Sequence, residues 1–132
     1  TIAQSGSIFT INAAAGCVVT LPAATAGLNY SFHLGTTVTS NTFTVNAASS
    51  SDVLQGAVVS IDKDTPGNVV ATNAGATLAI DCPVAADHQI VQDGDTKGRF
   101  LGTKIDYVCI TDALWHVSGI SFMNGSVATM FT

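Results

Sequence analysis

Apolar and polar side chains alternate along most of the chain, and a period of two is typical of strands that turn one face to a core. Between residues 17 and 21, for example, Cys17, Val19 and Leu21 share one face. No apolar stripe of helical spacing and useful length is present, so strands are expected from end to end. The predicted strands are 7–11, 17–21, 30–34, 42–46, 58–61, 69–72, 77–80, 90–92, 105–111 and 114–122.

Residues that favour turns separate these strands. Gly, Pro and Asn are common turn residues. Examples here are Gly16, Gly27, the Pro-Gly-Asn segment 66–68 and the Asn-Gly pair 124–125. Short strands that alternate with turns at intervals of about 8–12 residues indicate a sandwich or barrel. The fold expected for residues 1–132 is a single all-β domain, an antiparallel β-sandwich or jelly-roll-like barrel of about 8–10 short strands.

The alternation changes phase after Trp115. Trp115 and Val117 have one parity, whereas Ile120 and Phe122 have the other. A slip of one residue moves the apolar side chains of a strand to its other face. We therefore predict a bulge or bend at Ser118-Gly119, where glycine permits it.

Composition changes the picture because the chain is unusually poor in charge. Hydrophobic residues make up 47% of the chain and charged residues only 10%, against roughly 25% charged residues in an average soluble domain. Polar residues interrupt every apolar run before the about 20 residues that a membrane-spanning helix needs, and no secretory signal peptide is recognisable. With a mean hydropathy of +0.43, so small a protein is expected to bury part of its surface against partners.

The few charges are mostly acidic. Nine acidic residues, all of them Asp, stand against four basic ones and give a formal net charge of −5. The cations are Lys63, Lys97, Arg99 and Lys104. They are too few for the about six to ten phosphate contacts of an ordinary DNA-binding protein, so nucleic acid is not an expected partner.

Three cysteines, Cys17, Cys82 and Cys109, stand far apart in the chain. Secreted disulfide scaffolds carry an even and denser set, so we interpret the three as small buried apolar residues. One disulfide with one free thiol stays open as the alternative, and the spacing does not indicate which two would pair. The first interpretation favours synthesis in a reducing compartment.

The sequence offers only poor matches to known arrangements of catalytic residues. Ser121 follows Gly119 at the spacing of a nucleophile elbow, but the second glycine is missing and the segment is an apolar strand. Asp87 and His88 are adjacent, and adjacent residues of an extended chain point to opposite sides. We interpret Ser121 as a strand residue and Asp87-His88 as part of a solvated loop, and we predict no catalytic residue.

Candidate metal ligands are equally weak. His33 and His116 stand in separate predicted strands, each on a polar outer face, whereas a zinc site needs His or Cys at short spacing. Segment 93–98 starts like a calcium-binding EF-hand loop, but basic residues occupy two positions that need acidic ligands. We interpret this segment and Asp62-Lys63-Asp64 as acidic turns, and we predict no metal and no cofactor.

Three segments carry a more specific signal. Residues 20–32 combine a strand that ends in Leu21-Pro22, a turn of small residues up to Gly27, and a strand with alternating aromatics. Residues 42–56 combine a Thr-rich strand with an Asp-x-x-x-Gly turn, and residues 107–119 combine an apolar strand, an Asp turn and a Trp-x-Val strand. This order resembles modules of tailed-bacteriophage virion structural proteins of the capsid decoration (cement or head-fibre) type, which share modules with tail fibres.

The resemblance implies a non-enzymatic structural protein on the capsid exterior of a virion assembled in the host cytoplasm. A capsid decoration protein would bind the outside of a phage head as a homotrimer and stabilise major capsid subunits, and it would need neither catalytic residues nor a cofactor. The alternative is a tail-fibre module or a receptor- or glycan-binding tip. Such a tip would expose aromatic residues in loops, whereas most aromatics here fall at strand positions.

Two sets of side chains follow from the pattern and from this role. One contains large residues on the core parity of the strands. The other contains apolar residues of the terminal segments 1–11 and 122–132, which would be costly to leave in water. The predicted core anchors are Leu21, Tyr30, Phe32, Phe43, Val45, Tyr107, Trp115 and Val117. The candidate subunit contacts are Ile2, Phe9, Ile11, Phe122, Met123, Met130 and Phe131.

Overall fold

The computed structural model describes residues 1–62, 78–93, 96–124 and 128–132. A short 3-10 helix, Ile2–Gln4, precedes nine strands, and the described residues contain no α-helix. The predicted strand 69–72, the turn 66–68 and the Lys63-Asp64 pair lie outside the described residues. The strands are β1 Ser7–Ile11, β2 Cys17–Thr20, β3 Asn29–Leu34, β4 Phe43–Asn46, β5 Val53–Asp62, β6 Leu78–Asp81, β7 Gln89–Gln92, β8 Lys104–Thr111 and β9 Leu114–Met123.

These strands form two sheets that pack face to face. The larger sheet has six strands in the order β1-β3-β8-β9-β5-β6, and the smaller one has the order β2-β4-β7. The ring centroids of Phe32 in the larger sheet and Phe43 in the smaller sheet are 6.3 Å apart. Neither sheet closes on itself among the described strands. The prediction of an all-β fold of the sandwich type is confirmed.

Three strand pairings are parallel, which corrects the expectation of antiparallel sheets. β1 pairs with β3, β2 with β4, and β5 with β9 in parallel register, while the other named pairings are antiparallel. The first five strands alternate between the two sheets. A chain that crosses to the opposite sheet and then returns can lie beside its earlier strand in the same direction. Turn residues in the sequence do not distinguish such a crossing from a hairpin.

One cluster of buried apolar side chains fills the space between the sheets. Tyr107, Trp115 and Val117 are 0% exposed, since alternate residues of β8 and β9 face inward. The rings of Tyr30 and Trp115 lie 5.9 Å apart. All eight predicted core anchors lie in this cluster, namely Leu21, Tyr30, Phe32, Phe43, Val45, Tyr107, Trp115 and Val117.

Strand β9 continues through Ser118-Gly119 without a bulge, so the predicted bend is wrong. Its register with β5 is unbroken along the whole strand, and Ile120 lies on the outer face, 45% exposed. A Cβ on Gly119 would collide with a backbone carbonyl of β8, so this glycine serves the close approach of two strands. The register shift that the β8–β9 pair does show lies between Cys109 and Thr111.

The last residues extend the smaller sheet. The backbone N–H and C=O groups of Thr132 exchange hydrogen bonds of 3.1 and 3.0 Å with Gln89 of β7. Phe131 forms an antiparallel bridge with Ile90 of the same strand. Residues 128–132, called the C-terminal segment below, therefore cover the edge of β7.

Candidate functional site

Three of the candidate subunit contacts lie inside the molecule. Met123 and Met130 are 0% exposed, and Phe131 is 2% exposed. Met130 and Phe131 belong to the C-terminal segment and join the apolar cluster between the sheets, while Met123 is a buried residue at the end of β9. The expectation that these three contact a partner is wrong, because the chain itself already removes them from water.

Three other candidate contacts, Ile2, Phe9 and Ile11, lie at one open side of the sandwich. The edges of the two sheets on this side are β1 and β2, and a groove of about 260 Å³ runs between them. The 3-10 helix that carries Ile2 borders this groove through its neighbours Thr1 and Gln4. We call it the open-side groove, and its apolar lining consists of Phe9, Ile11, Val19, Leu21, Pro22, Tyr30 and Phe32.

The open-side groove has an apolar floor, and two exposed apolar side chains lie on the elements that border it. The ring of Phe9 stacks on that of Phe32 at a centroid distance of 5.4 Å. Beside the groove, Ile2 lies between the lining residues Thr1 and Gln4 and is 60% exposed. Val18 alternates with the lining residue Val19 along β2 and is 65% exposed on the outer face of that strand. Among the described strands, β1 and β2 each pair with one neighbour only, which leaves one backbone edge of each available for pairing. Exposed apolar side chains beside unpaired strand edges are features of a protein–protein contact.

A second apolar surface lies on the outer face of the six-stranded sheet. Ile120 of β9, Val59 of β5 and Ile80 of β6 are neighbours in register, and we call them the outer apolar row. Ile120 is 45% exposed and Ile80 is 67% exposed. Phe122, the remaining candidate contact, follows Ile120 on the same face of β9 and is half-buried.

The other half of this outer face carries a polar cluster. Ser31 and His33 of β3 stand in register with Asp106 and Lys104 of β8. The Ser31 hydroxyl donates a hydrogen bond to Oδ1 of Asp106, and Nζ of Lys104 lies 2.8 Å from Oδ2. Nε2 of His33 lies 3.0 Å from Oγ of Ser31. The two carboxylate oxygens of Asp106 therefore bind different partners, Ser31 and Lys104.

The hydrogen bonds of the polar cluster define what its serine can do. Because the Ser31 proton points to Asp106, Oγ accepts a hydrogen bond from His33, and Nε2 of that ring carries the hydrogen. A serine nucleophile needs the reverse arrangement, in which an imidazole nitrogen accepts the hydroxyl proton. The cluster contains Ser, His and Asp, but their hydrogen bonds do not activate the serine as a nucleophile.

The pKa of the Asp106 carboxyl is lowered from its ordinary value. Partial burial by itself would raise this pKa, but hydrogen bonds from Lys104 and Ser31, the Lys104 charge and a contribution from His33 together outweigh the burial. The carboxylate is thus ionised at neutral pH, with Lys104 as its counter-ion.

The polar cluster lines a shallow basin of about 580 Å³, which we call the polar basin. Asn29 and Ser118 also line it. Two apolar side chains take part as well, Ile8 and Val108, which are 67% and 43% exposed. Polar groups of several kinds therefore line the basin, and Ile8 and Val108 form its apolar border.

This cluster was not predicted from the sequence, where His33 stands as an isolated polar residue of a strand. The available signal was the spacing, since Ser31-x-His33 and Lys104-x-Asp106 each place two polar side chains on one face. The register that brings these two pairs together is a property of the folded sheet. His116 is exposed on the outer face of β9, as predicted.

The other chemical candidates do not assemble into a site. Ser121 is 0% exposed and accepts a hydrogen bond of 3.0 Å from Nε2 of Gln92. Asp87 accepts a hydrogen bond from a nearby backbone N–H, and the ring of His88 faces a backbone carbonyl, so the two form no pair. Within the described part of the chain, no three His, Cys, Asp or Glu side chains are grouped to hold a metal ion.

The three cysteines are free thiols. Cys109 is buried and Cys17 is half-buried, and burial raises the pKa of both thiols. Cys82 is exposed, which corrects the interpretation of all three as buried residues. Cys82 directly follows β6, which is an edge strand of the six-stranded sheet. Among the described strands, none pairs with the outer edge of β6.

Comparison with known proteins identifies no relative. No family model, no curated protein and no solved structure matches the chain. None of the helices in the described ranges has the length and apolar character needed to cross a membrane. The open-side groove, the outer apolar row and the polar basin are therefore the features from which function is inferred.

Proposed function

We propose that the protein is a non-enzymatic structural protein of a tailed-bacteriophage virion, a decoration protein on the outside of the head. In this role it forms a homotrimer and stabilises neighbouring major capsid subunits. The observation that carries the proposal is the open-side groove, where exposed Ile2 and Val18 stand beside two strand edges. In a chain with only 10% charged residues, burial of this surface against a partner is favourable.

The open-side groove suits a second copy of the chain. Its lining contains no charged side chain, and the nearby exposed residues Ile2 and Val18 are apolar, so a second copy can pack there without burying a charged side chain. The edges of β1 and β2 offer backbone groups with which a neighbouring copy can pair. A contact between two different surfaces of identical chains closes into a ring when the rotation permits, and a trimer is the smallest such ring.

The outer apolar row suits the capsid surface. It lies on the half of the six-stranded sheet that is farthest from β1, so a capsid subunit on Ile80 and Ile120 would not compete with a copy at the open-side groove. Apolar burial contributes about 25 cal/mol per Å². Repetition of a modest contact through the subunits of one oligomer raises the overall affinity by avidity.

The segments that resemble phage modules support the virion context. Residues 20–32 run from the end of β2 through a turn at Gly27, where φ is +92°, into β3 with buried Tyr30 and Phe32. Residues 107–119 form most of the β8–β9 hairpin. The segments that carry the resemblance to phage modules therefore supply core anchors and turns of this fold.

Self-association is tested by measuring the mass of the protein in solution by native mass spectrometry and sedimentation. Ile2→Lys and Val18→Lys place a charge on the 3-10 helix and on the β2 edge strand that border the groove, and we expect each to convert the trimer to monomer. Val84→Lys is the matched control, since Val84 is 69% exposed and follows β6, the edge strand at the opposite end of the six-stranded sheet from β1. A wild-type chain that stays monomeric at high concentration would refute self-association.

Attachment to the head is tested by incubating the protein with undecorated phage heads and imaging the particles by electron cryomicroscopy. We expect wild type and Val84→Lys to bind, and Ile120→Lys to lose binding while it keeps the oligomeric state of the wild type. Wild-type protein that ignores heads and binds tail fibres would contradict the decoration role and support the tail-fibre alternative.

A further inference from the structure

The polar basin is a shallow and open concavity. Its volume of about 580 Å³ is enough to accommodate a small molecule at the surface. It opens on the outer face of the β3–β8 half of the sheet, and it shares no residue with the outer apolar row.

The charges of the basin cancel. Lys104 and Asp106 form an ion pair of 2.8 Å, and these are the basin's only Lys, Arg, Asp or Glu residues among its described lining. Because the ion pair has no net charge, the basin offers neither an anion nor a cation a net electrostatic attraction. A ligand without net charge loses less favourable solvation when it enters the basin.

Hydrogen-bonding capacity remains after the internal bonds are made. Lys104 uses one of its three N–H groups on Asp106, and each oxygen of that carboxylate has a further lone pair. Ser118 adds a hydroxyl that both donates and accepts, and Asn29 adds an amide. Donors and acceptors thus stand together in one concavity, as a ligand with several hydroxyl groups requires.

The border of the basin is apolar. Ile8 lines it from β1 and Val108 from β8, and both side chains are exposed. A sugar ring matches this combination, because its hydroxyl groups lie at the edge and its faces carry C–H groups. Burial of such a face against Ile8 and Val108 would add a favourable apolar contact.

We propose that the polar basin binds a neutral carbohydrate. The hydroxyl groups of one sugar ring bond to Asp106, Lys104 and Ser118, and one face of the ring lies against Ile8 and Val108. Because the open-side groove runs between the sheets and the basin opens on the outer face, this binding does not depend on the decoration role.

The test is a titration followed by the backbone amide resonances of the protein. The probes are glucose, galactose, mannose and N-acetylglucosamine, with glucuronate and glucosamine as charged counterparts. We expect at least one neutral sugar to shift the amide resonances of Ser31, Lys104 and Asp106 in a saturable way, with a dissociation constant on the order of 1 mM. Both charged counterparts should bind more weakly.

Variants assign the binding to the basin. Asp106→Ala removes two acceptors and Ser118→Ala removes one hydroxyl. We expect the affinity to fall about tenfold or more in Asp106→Ala, which corresponds to about 1.4 kcal/mol, and to fall less in Ser118→Ala. Asp93→Ala and Ser40→Ala are the matched controls, since both residues are exposed and lie outside the basin lining. The proposal is overturned if no neutral sugar gives a saturable shift, if the charged sugars bind as well, or if Asp106→Ala binds like wild type.

Discussion

The carboxylate of Asp81 accepts a hydrogen bond from the backbone N–H of Met130. The same carboxylate accepts a bond of 2.9 Å from the hydroxyl of Thr129, and Asp81 is only 8% exposed. Asp81 belongs to the six-stranded sheet, whereas the C-terminal segment extends the smaller sheet. One side chain therefore joins the two sheets at the end of the chain.

Replacement of Asp81 should loosen the C-terminal segment. Hydrogen bonds to a charged group contribute about 1.5–3 kcal/mol, so we expect Asp81→Ala to lower the free energy of unfolding by about that amount. Amide hydrogen exchange at Phe131 and Thr132 should accelerate, and Asp93→Ala, at an exposed position, should leave both quantities unchanged. Unchanged exchange in Asp81→Ala would show that the segment is held by other contacts.

Alanine at position 56 should destabilise the central pair of parallel strands. Gly56 has a φ of +127°, and a Cβ there would collide with the carbonyl oxygen of Val117 on β9. Because backbone strain and steric overlap add, we expect Gly56→Ala to lower the free energy of unfolding, measured in urea, by about 1–3 kcal/mol or more. Gly6→Ala is the control, since Gly6 has a φ of +84° but open space around it. Equal losses in both variants would mean that the close approach is unimportant.

The Asp106 network should make stability depend on acid pH. Since the pKa of Asp106 is lowered in the folded state, its stabilisation is complete above the ordinary Asp value of about 3.9 and is lost as pH falls through the lowered pKa. We expect Asp106→Asn to be less stable than wild type by about 1 kcal/mol or less at neutral pH, because the pair is partly exposed. The difference should shrink below about pH 4 in urea unfolding curves. Asp93→Asn should show no such trend, and a difference that grows in acid would contradict the assignment.

The three thiols should differ in reactivity. Cys82 is exposed, whereas Cys109 is 2% exposed, has a pKa raised by burial and donates to the Thr111 carbonyl at 3.0 Å. Because the thiolate is the reactive form, Cys82 should react first with Ellman's reagent and Cys109 last, as followed by absorbance. Cys82→Ser should lose the fast phase, while unfolded wild type should react at all three thiols at once. A fast phase that survives in Cys82→Ser would contradict this order.

The sequence was most informative where structure depends on near neighbours. Trp115 and Val117 were assigned to the core from parity alone, because every second residue of a strand faces the same side. Gly119 shows the limit of that reasoning, since a glycine that permits a bend and a glycine that permits close strand packing look the same in a sequence. The phase change that prompted the predicted bulge arises because Ile120 remains exposed on an apolar outer surface.

The sequence did not indicate which residues meet across neighbouring strands. Ser31 and Asp106 are 75 positions apart, and no local pattern indicates that β3 and β8 are neighbours. The terminal residues Met130 and Phe131 were expected to contact a partner because an apolar terminus is costly in water. The strand edge of β7 was available within the same chain and buried them there.

The sequence by itself determined that this chain is all-β, which faces of its strands are apolar, and that it carries little charge, because these properties follow from residue type and a period of two. Only the tertiary structure decided the parallel pairing of β5 with β9, the closure of the C-terminal segment by Asp81, and the assembly of the polar basin. These features depend on strand order and register, which are fixed by contacts between distant segments when the two sheets close on one core.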